Sequence, residues 1–325
     1  MTTNLSRRGF LGTAAAAAAS FSFGKTFVSA EDAPAPADHP GFRFVHLTDI
    51  HIAPERNAPE GLRACLAAID SLNPKPDFIL TGGDNIMDAL DQTRERATSL
   101  YELLKKTMSD HAGLPVKYCL GNHEVFGWSN KKGVKPTDPL YGKKMFCEMH
   151  DLPCTYYRFD HKGWRFFVLD DVQPAVDPAK NDPPFGYVSY IDEAQMEWLE
   201  GELHEKPAAM PAAVVCHIPI FSVTVFEDSK DRDARNVPHA LMCRGARALT
   251  ELLNRHNVRL ALSGHLHQVD QVKFRDVTFV CDGAVSGGWW GGPFKGFEEG
   301  FGVLDLAADG RLKHYYHDYG WTPKQ

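Results

Sequence analysis

Phe42-Arg43-Phe44-Val45-His46-Leu47-Thr48-Asp49-Ile50-His51 begins in apolar and β-branched residues and ends in polar ones. A buried strand that delivers side chains to a sheet edge is written this way. The pattern then repeats down the chain. A helix is expected over about 60–72, stopped by Asn73-Pro74, followed by a strand at 78–81, a helix near 89–109 and a strand at 116–120. A β-α-β-α-β order implies a parallel sheet with helices on its faces, and such sheets bind ligands beyond the carboxyl ends of their strands.

Residues 125–184 are rich in lysine, glycine, proline and aromatics and weakly periodic, so an insertion lying over the site is expected there. Within and after it, strands at 156–159 and 164–169 flank the turn His161-Lys162-Gly163. A helix near 192–204, a buried strand at 212–216, a helix at 243–256 and a strand at 259–262 follow. Short strands at 271–274, 278–281, 302–306 and 312–316 close the chain. No repeat or boundary interrupts 42–325, which reads as one α/β domain: a two-layered β-sheet sandwich flanked by helices.

The composition excludes several classes. With 43% hydrophobic and 24% charged residues the chain is globular rather than disordered. Its 35 basic and 42 acidic residues leave a net charge of −7, so no broad positive field exists to hold a nucleic-acid polymer or an anionic membrane. Phosphate has to be caught locally.

The first thirty residues read as an export signal: Ser6-Arg7-Arg8-Gly9-Phe10-Leu11, an alanine run at 14–19, Lys25, and Val28-Ser29-Ala30 as a small-residue cleavage pattern. They resemble a twin-arginine signal, which implies the twin-arginine export machinery as a partner and a periplasmic or secreted product. An uncleaved anchor is the alternative, but the apolar stretch falls short of the roughly 20 residues a span needs, and no stable membrane insertion is expected after cleavage. Cleavage removes three basic residues and no acid, taking the charge from −7 to −10. Residues 31–41 read as an Ala/Pro linker. Of the seven cysteines, Cys65, Cys119, Cys216 and Cys281 fall on apolar segments and behave as small hydrophobes. Only Cys147 and Cys154 are placed to pair.

Five polar clusters follow apolar strands in order: Asp49-Ile50-His51, Gly82-Gly83-Asp84-Asn85, Gly121-Asn122-His123-Glu124, His217 after Val214-Val215-Cys216, and Gly264-His265-Leu266-His267. Residues two apart on a strand point the same way, so Asp49 and His51 are expected to project together. Singly, a solvated strand end, an Asp/Asn turn or a satisfied core histidine accounts for most of these. Together they place carboxylates, an amide and imidazoles at successive strand ends of a sheet, a donor set suited to divalent transition metals rather than calcium or magnesium.

These motifs resemble the calcineurin-like metallophosphoesterase family, whose ordered signature is D-x-H, G-D, G-N-H-E, H and G-H-x-H, and the resemblance spans 42–325. It implies a dinuclear metal site at the carboxyl ends of the strands. In it Asp84 bridges, Asp49, His51 and His267 complete one metal site, and Asn122, His217 and His265 complete the other. It also implies a metal-bridging hydroxide as nucleophile in the hydrolysis of a small phosphomonoester or phosphodiester. The resemblance further implies that Asn122 and His123 face the substrate, with His123 orienting the ester or protonating the departing alkoxide. Iron, manganese, zinc and cobalt all tolerate these ligands.

Two departures narrow the resemblance. Purple acid phosphatases bind iron through a tyrosine three residues after the bridging aspartate; Met87 stands there, and His51 stands where that group has no histidine. Protein phosphatases place at that position an acid followed by arginine. Here the acid is Asp88, one place late and without the arginine, which points away from phosphoproteins and leaves its pairing with His123 open. Trp289 and Trp290, flanked by glycines, form either an aromatic wall for the substrate or a packing plug. Similar glycine-tryptophan segments recur in exported bacterial members. The alternatives are a cyclic-nucleotide phosphodiesterase and a non-catalytic secreted metal-binding module; a pseudoenzyme is expected to lose Asp84 or His123, and both are present. Of the fifteen histidines, the ten outside these motifs, His314 and His317 among them, are assigned to surface or core.

Overall fold

The computed structural model describes residues 41–111, 113–129, 131–176, 186–228 and 237–323. The export signal and all but the last residue of the linker lie outside them. Among the described residues no helix is long and apolar enough to cross a membrane.

The first sheet takes β1 (Gly41–Leu47), β2 (Ile79–Thr81) and β3 (Val116–Lys117) in parallel, and adds the antiparallel β12 (Gly300–Ala307) and β13 (Leu312–Asp318) beside β1. Its order is β13-β12-β1-β2-β3. The second sheet has the order β10-β11-β9-β8-β5-β4. Its strands are β4 (Tyr157–His161), β5 (Trp164–Val168), β8 (Ala212–Val215), β9 (Val258–Ser263), β10 (Asp270–Phe274) and β11 (Val277–Cys281). The inner four run parallel, and each edge strand is antiparallel to its neighbour. A hairpin of β6 (Val172–Pro174) and β7 (Tyr187–Ser189) stands apart.

Strand alternation explains the layering. Phe42 and Phe44 face the second sheet, with Phe166, Val168, Ala213, Val215, Leu260 and Leu262 opposite, while Val45 and Leu47 face outward. Both faces of the inner strands are covered, so β8 and β11 read as nearly continuous apolar runs, while the edge strands β4, β10 and β13 carry polar residues along their length. Outside the first sheet lie α1 (Ala58–Ser71), α2 (Arg94–His111) and α3 (Lys144–His150), which contribute Leu62, Leu66, Leu100, Leu104 and Phe146. Outside the second lie α4 (Glu193–Glu205) and α6 (Ala246–Arg255), with Leu199, Leu203, Leu249 and Leu253; α5 (Val225–Asp228) is a single turn. The sandwich flanked by helices is thus as the sequence implies.

Three expectations change. The segment 125–184, expected as an insertion over the site carrying a strand pair, has that pair as β4 and β5 and adds α3 and β6; β5 is an inner strand of the second sheet, paired with β8, which is distant in sequence. Its residues 177–184 lie outside the described set. α2 starts at Arg94 rather than near 89, because Asp88 turns the chain by accepting the Asp91 amide and Thr93 then accepts the Arg96 amide as an N-cap. Finally, Cys147 and Cys154 are both free thiols, like the other five cysteines.

One buried polar network pins the two layers together behind the strand ends. Asp282, just past β11, accepts from His46 Nδ1 of β1 at 2.7 Å and from His314 Nε2 of β13 at 2.8 Å. Burial alone raises the Asp282 carboxyl, but the His314 charge and both imidazole hydrogen bonds outweigh it and hold the pKa at about 2, below the ordinary carboxylate value. A depressed carboxyl stabilises the fold above its unfolded pKa, and that contribution disappears as pH falls through the folded value. Between pH 4 and pH 2 the chain is therefore expected to lose on the order of 2 kcal/mol through this group. Urea titrations of Asp282→Asn across that range check it: a variant with the same acid slope as the parent contradicts the assignment.

Candidate metal centre

The five clusters meet where the two sheets end together. Three follow β1, β2 and β3 of the first sheet and two follow β8 and β9 of the second, so the ends belong to two sheets rather than one. Nor do Asp49 and His51 project by strand alternation. β1 stops at Leu47, and both residues are left-handed, at φ 55° and 45°. Asp84, His265 and His267 are left-handed as well, so five of the seven candidate ligands sit in this region. Side chains rarely adopt it, at a cost of order 1 kcal/mol each, and it persists where the surroundings over-determine it. Here the turns are held by amides: Asp49 N–H to Gly83 O at 3.1 Å, and His51 N–H to Asp84 O at 2.9 Å.

Two glycines let the loops close. Gly83 has φ +93°, and a Cβ there lies 2.6 Å from His217 Nδ1. At Gly264 a Cβ lies 1.8 Å from Thr48 Oγ1 and 2.3 Å from Asp49 Oδ2, so the loops of the two sheets touch only because no side chain intervenes.

Asp84 is central. Its Oδ1 accepts the His123 amide at 2.8 Å. Its Oδ2 lies 3.1 Å from His217 Nε2 and 3.8 Å from both His51 Nε2 and His123 Nε2. On one side Asp49, His51 and His267 converge: the two imidazole Nε2 atoms are 3.1 Å apart, and Asp49 Oδ1 is 3.3 Å from His267 and 3.7 Å from His51. On the other, His217 Nε2 lies 3.1 Å from both Asn122 Oδ1 and His265 Nδ1.

The fit of this donor set to a cation rests on which atoms are already used. His217 Nδ1 donates to Gly82 O at 2.8 Å and His267 Nδ1 to Gly287 O at 2.6 Å, so each ring presents Nε2 inward. Asp49 Oδ2 takes the Thr48 hydroxyl at 2.6 Å and the His265 amide at 2.8 Å, while Oδ1 is buried with no hydrogen-bond partner. An orphaned buried carboxylate oxygen facing two imidazole nitrogens matches a divalent metal of intermediate softness.

The electrostatics agree. Burial works against charge on His217, yet the Asp84 carboxylate raises its pKa to about 10, so this ring has to give up a proton before Nε2 can ligate. Burial pushes His51 down to about 4 and His265 down to about 3, leaving both neutral and able to ligate. Burial also opposes ionisation of Asp84 and Asp49, but histidines beside them, led by His217 and His267 respectively, hold both low. His123 is disfavoured by burial and raised above its ordinary value by Asp84 and Asp88. Its Nδ1 is hydrogen-bonded to the Met87 carbonyl, not to a carboxylate, which answers the open question about Asp88: that side chain accepts from the Asp91 amide and Gln92 instead.

The two tryptophans divide between the two readings. Trp289 is half-buried against His267, with ring centroids 4.6 Å apart, and lies 6.0 Å from His51. Trp290 is 2% exposed, packs on Gly61 of α1 and donates Nε1–H to His51 O at 3.1 Å. It is a plug with no face left for a substrate, which corrects its expected role; the cause is Gly61, too far away in sequence to be read.

Several supporting residues carried no assigned role in the sequence. Glu124 accepts amides from Asp84, Asn85, Ile86 and Gly121 at 2.6–3.2 Å and so shapes the loop bearing Asp84. Asp171 accepts the His217 and Ile218 amides at 3.2 and 3.1 Å and the Ser189 hydroxyl at 3.0 Å. Asp170-Asp171 follow the apolar run of β5, the same strand-end signal as the other five clusters.

A family model described as calcineurin-like phosphoesterase matches residues 42–269. The serine/threonine-protein phosphatase CPPED1 of Mus musculus is 26% identical over 253 residues, covering 77% of this chain and 70% of that protein. Its Homo sapiens counterpart is 23% identical over 251 residues, with the same coverage of 77% and 70%. A dimetal phosphatase structure from Danio rerio aligns with a TM-score of 0.58 at 15% identity, covering 86% of this chain and 97% of that one, a likeness of fold.

Proposed function

Since the chain belongs to the calcineurin-like phosphoesterase family and is thereby a metal-dependent phosphoric ester hydrolase, we propose that it cleaves phosphomonoesters with His123 as the acid for the leaving group. Asp49, His51, Asp84 and His267 hold one divalent transition metal, and Asp84, Asn122, His217 and His265 hold a second. When bound, the pair supplies Lewis acidity toward phosphate oxygens and makes water acidic enough to act as nucleophile near neutral pH.

The chain's own residues do the rest. Thr48 and the His265 amide turn Asp49 so that Oδ1 points inward, and the Gly82 and Gly287 carbonyls fix the His217 and His267 tautomers. The Met87 carbonyl holds His123 Nδ1, leaving Nε2 toward the Asp84 side to pass a proton to the departing alkoxide. The observation that carries the reading is the orphaned Asp49 Oδ1 facing two imidazoles in a buried pocket.

The names of the relatives support monoesters over diesters. They also favour a second reading, a phosphoprotein substrate, against which stand the displaced Asp88 and the missing arginine. Rates for an aryl phosphate, a bis-aryl phosphate and a phosphoserine peptide, measured with manganese, zinc, iron or cobalt restored, separate these. The aryl phosphate is expected to turn over at least about tenfold faster than either alternative, a margin of 1.4 kcal/mol; no turnover of any ester with any metal rejects the reading.

A further inference from the structure

We propose that Trp289, backed by Phe294, selects the leaving group, and that the substrate is a phosphate ester whose leaving alcohol carries a planar ring. The inference rests on the phosphoester reading above and names its substrate class.

The side of the site follows from His123. A general acid must reach the departing oxygen, and the His123 ring lies edge-on to His51 with centroids 4.6 Å apart. The alcohol therefore leaves on the His51 side. Trp289 borders that side, 6.0 Å from His51 and 4.6 Å from His267. The opposite end, by His265, is bordered by Tyr187 at 6.1 Å.

The surface itself is suited to rings. Phe294 meets Trp289 edge-on, at 5.6 Å and 81°, so the two form a half-exposed aromatic corner. Another ring gains offset or edge contacts there beyond the area it buries, whereas an alkyl alcohol gains area alone.

The backbone argues against Trp289 as mere packing. Trp289 and Trp290 are both left-handed, at φ 53° and 66°. Trp290 takes the packing role inside, and Arg56 Nη1 donates to the Trp289 carbonyl at 3.0 Å, so the turn is held from both ends while the Trp289 indole stays half-exposed. The strained turn thus seats Trp290 inside and leaves the Trp289 ring against His267 and toward His51.

Two measurements test this. With metal restored, kcat/KM for phenyl phosphate, adenosine 5′-monophosphate and ethyl phosphate is compared between the parent, Trp289→Leu and Trp289→Phe. The leucine variant is expected to lose at least about tenfold more on a ring ester than on ethyl phosphate, 1.4 kcal/mol of selectivity, and the phenylalanine variant to recover most of it. A loss confined to the phenyl ester identifies aryl alcohols, one confined to the adenosine ester identifies nucleosides, and both support the proposal. Equal losses on all three esters overturn it, because a residue that only packs against His267 affects every substrate alike. Independently of turnover and of any variant, the parent is expected to bind phenylphosphonate at least about tenfold more tightly than methylphosphonate. Equal affinities sink the proposal even where esters are hydrolysed. A ring preference in a protein inert toward all three esters upholds the subsite and rejects the phosphoester reading instead.

Discussion

Asp84→Asn is expected to lose at least about 10³-fold in kcat/KM, the scale of removing a preorganised charge from an active site. Asparagine keeps the size of the side chain and an oxygen for the His123 amide, which lies 2.8 Å from Asp84 Oδ1. What it removes is the negative charge that faces His217, His51 and His123 together. The stoichiometry of bound metal should fall with the rate, because Asp84 Oδ2 lies 3.8 Å from His51 Nε2 on one half of the centre and 3.1 Å from His217 Nε2 on the other. Steady-state kinetics with elemental analysis of the desalted variant check the pair of effects. A variant that keeps two ions and a rate within tenfold of the parent removes Asp84 from the bridging position.

The second large effect is structural. Glu124→Ala leaves four buried backbone N–H groups without their acceptor and takes one of two acceptors from the Asn85 side-chain amide, which keeps the Cys119 carbonyl. Each buried donor left unpaired costs about 1–3 kcal/mol, and loops relax in part, so a loss on the order of 4 kcal/mol is expected, about 8 °C in Tm. Burial and the neighbouring Asp84 push Glu124 up to about 7, against amides that favour its charged form. Glu124→Gln keeps one acceptor oxygen and should recover about half of the loss. Because Glu124 shapes the loop that carries Asp84, kcat/KM should also fall 10- to 100-fold, the usual scale for residues supporting a ligand. Thermal melts of the two variants decide this: a Tm for Glu124→Ala within 2 °C of the parent contradicts the bracing role.

Much of this was legible in the chain because apolar side chains report where a sheet is covered. The segments at β1, β5, β8, β9 and β11 are mostly apolar since each faces a sheet on one side and a helix or loop on the other. The polar residues that end them could be found by position alone. Their handedness could not: an Asp-Ile-His segment reads the same whether it extends a strand or turns left, and the outcome depends on the Gly83 and Asp84 carbonyls across the turn. The division of labour between Trp289 and Trp290 was hidden for the same reason, since Gly61 and Arg56 decide it from over two hundred residues away. Asp171 is the opposite case. With Asp170 it follows the apolar run of β5 as the other clusters follow theirs, but the pair carries no histidine and matches no element of the ordered signature.

The origin of the donors in two separate sheets has a consequence for the whole molecule. Asp49, His51, Asp84 and Asn122 hang from the loops of the first sheet, and His217, His265 and His267 from those of the second. Donors so divided come together only when the layers are docked, so capturing a cation and closing the sandwich are one equilibrium approached from two directions. The centre is then a fastening as well as a catalyst. A chelator loosens the architecture, and a mutation deep between the sheets weakens the grip on metal.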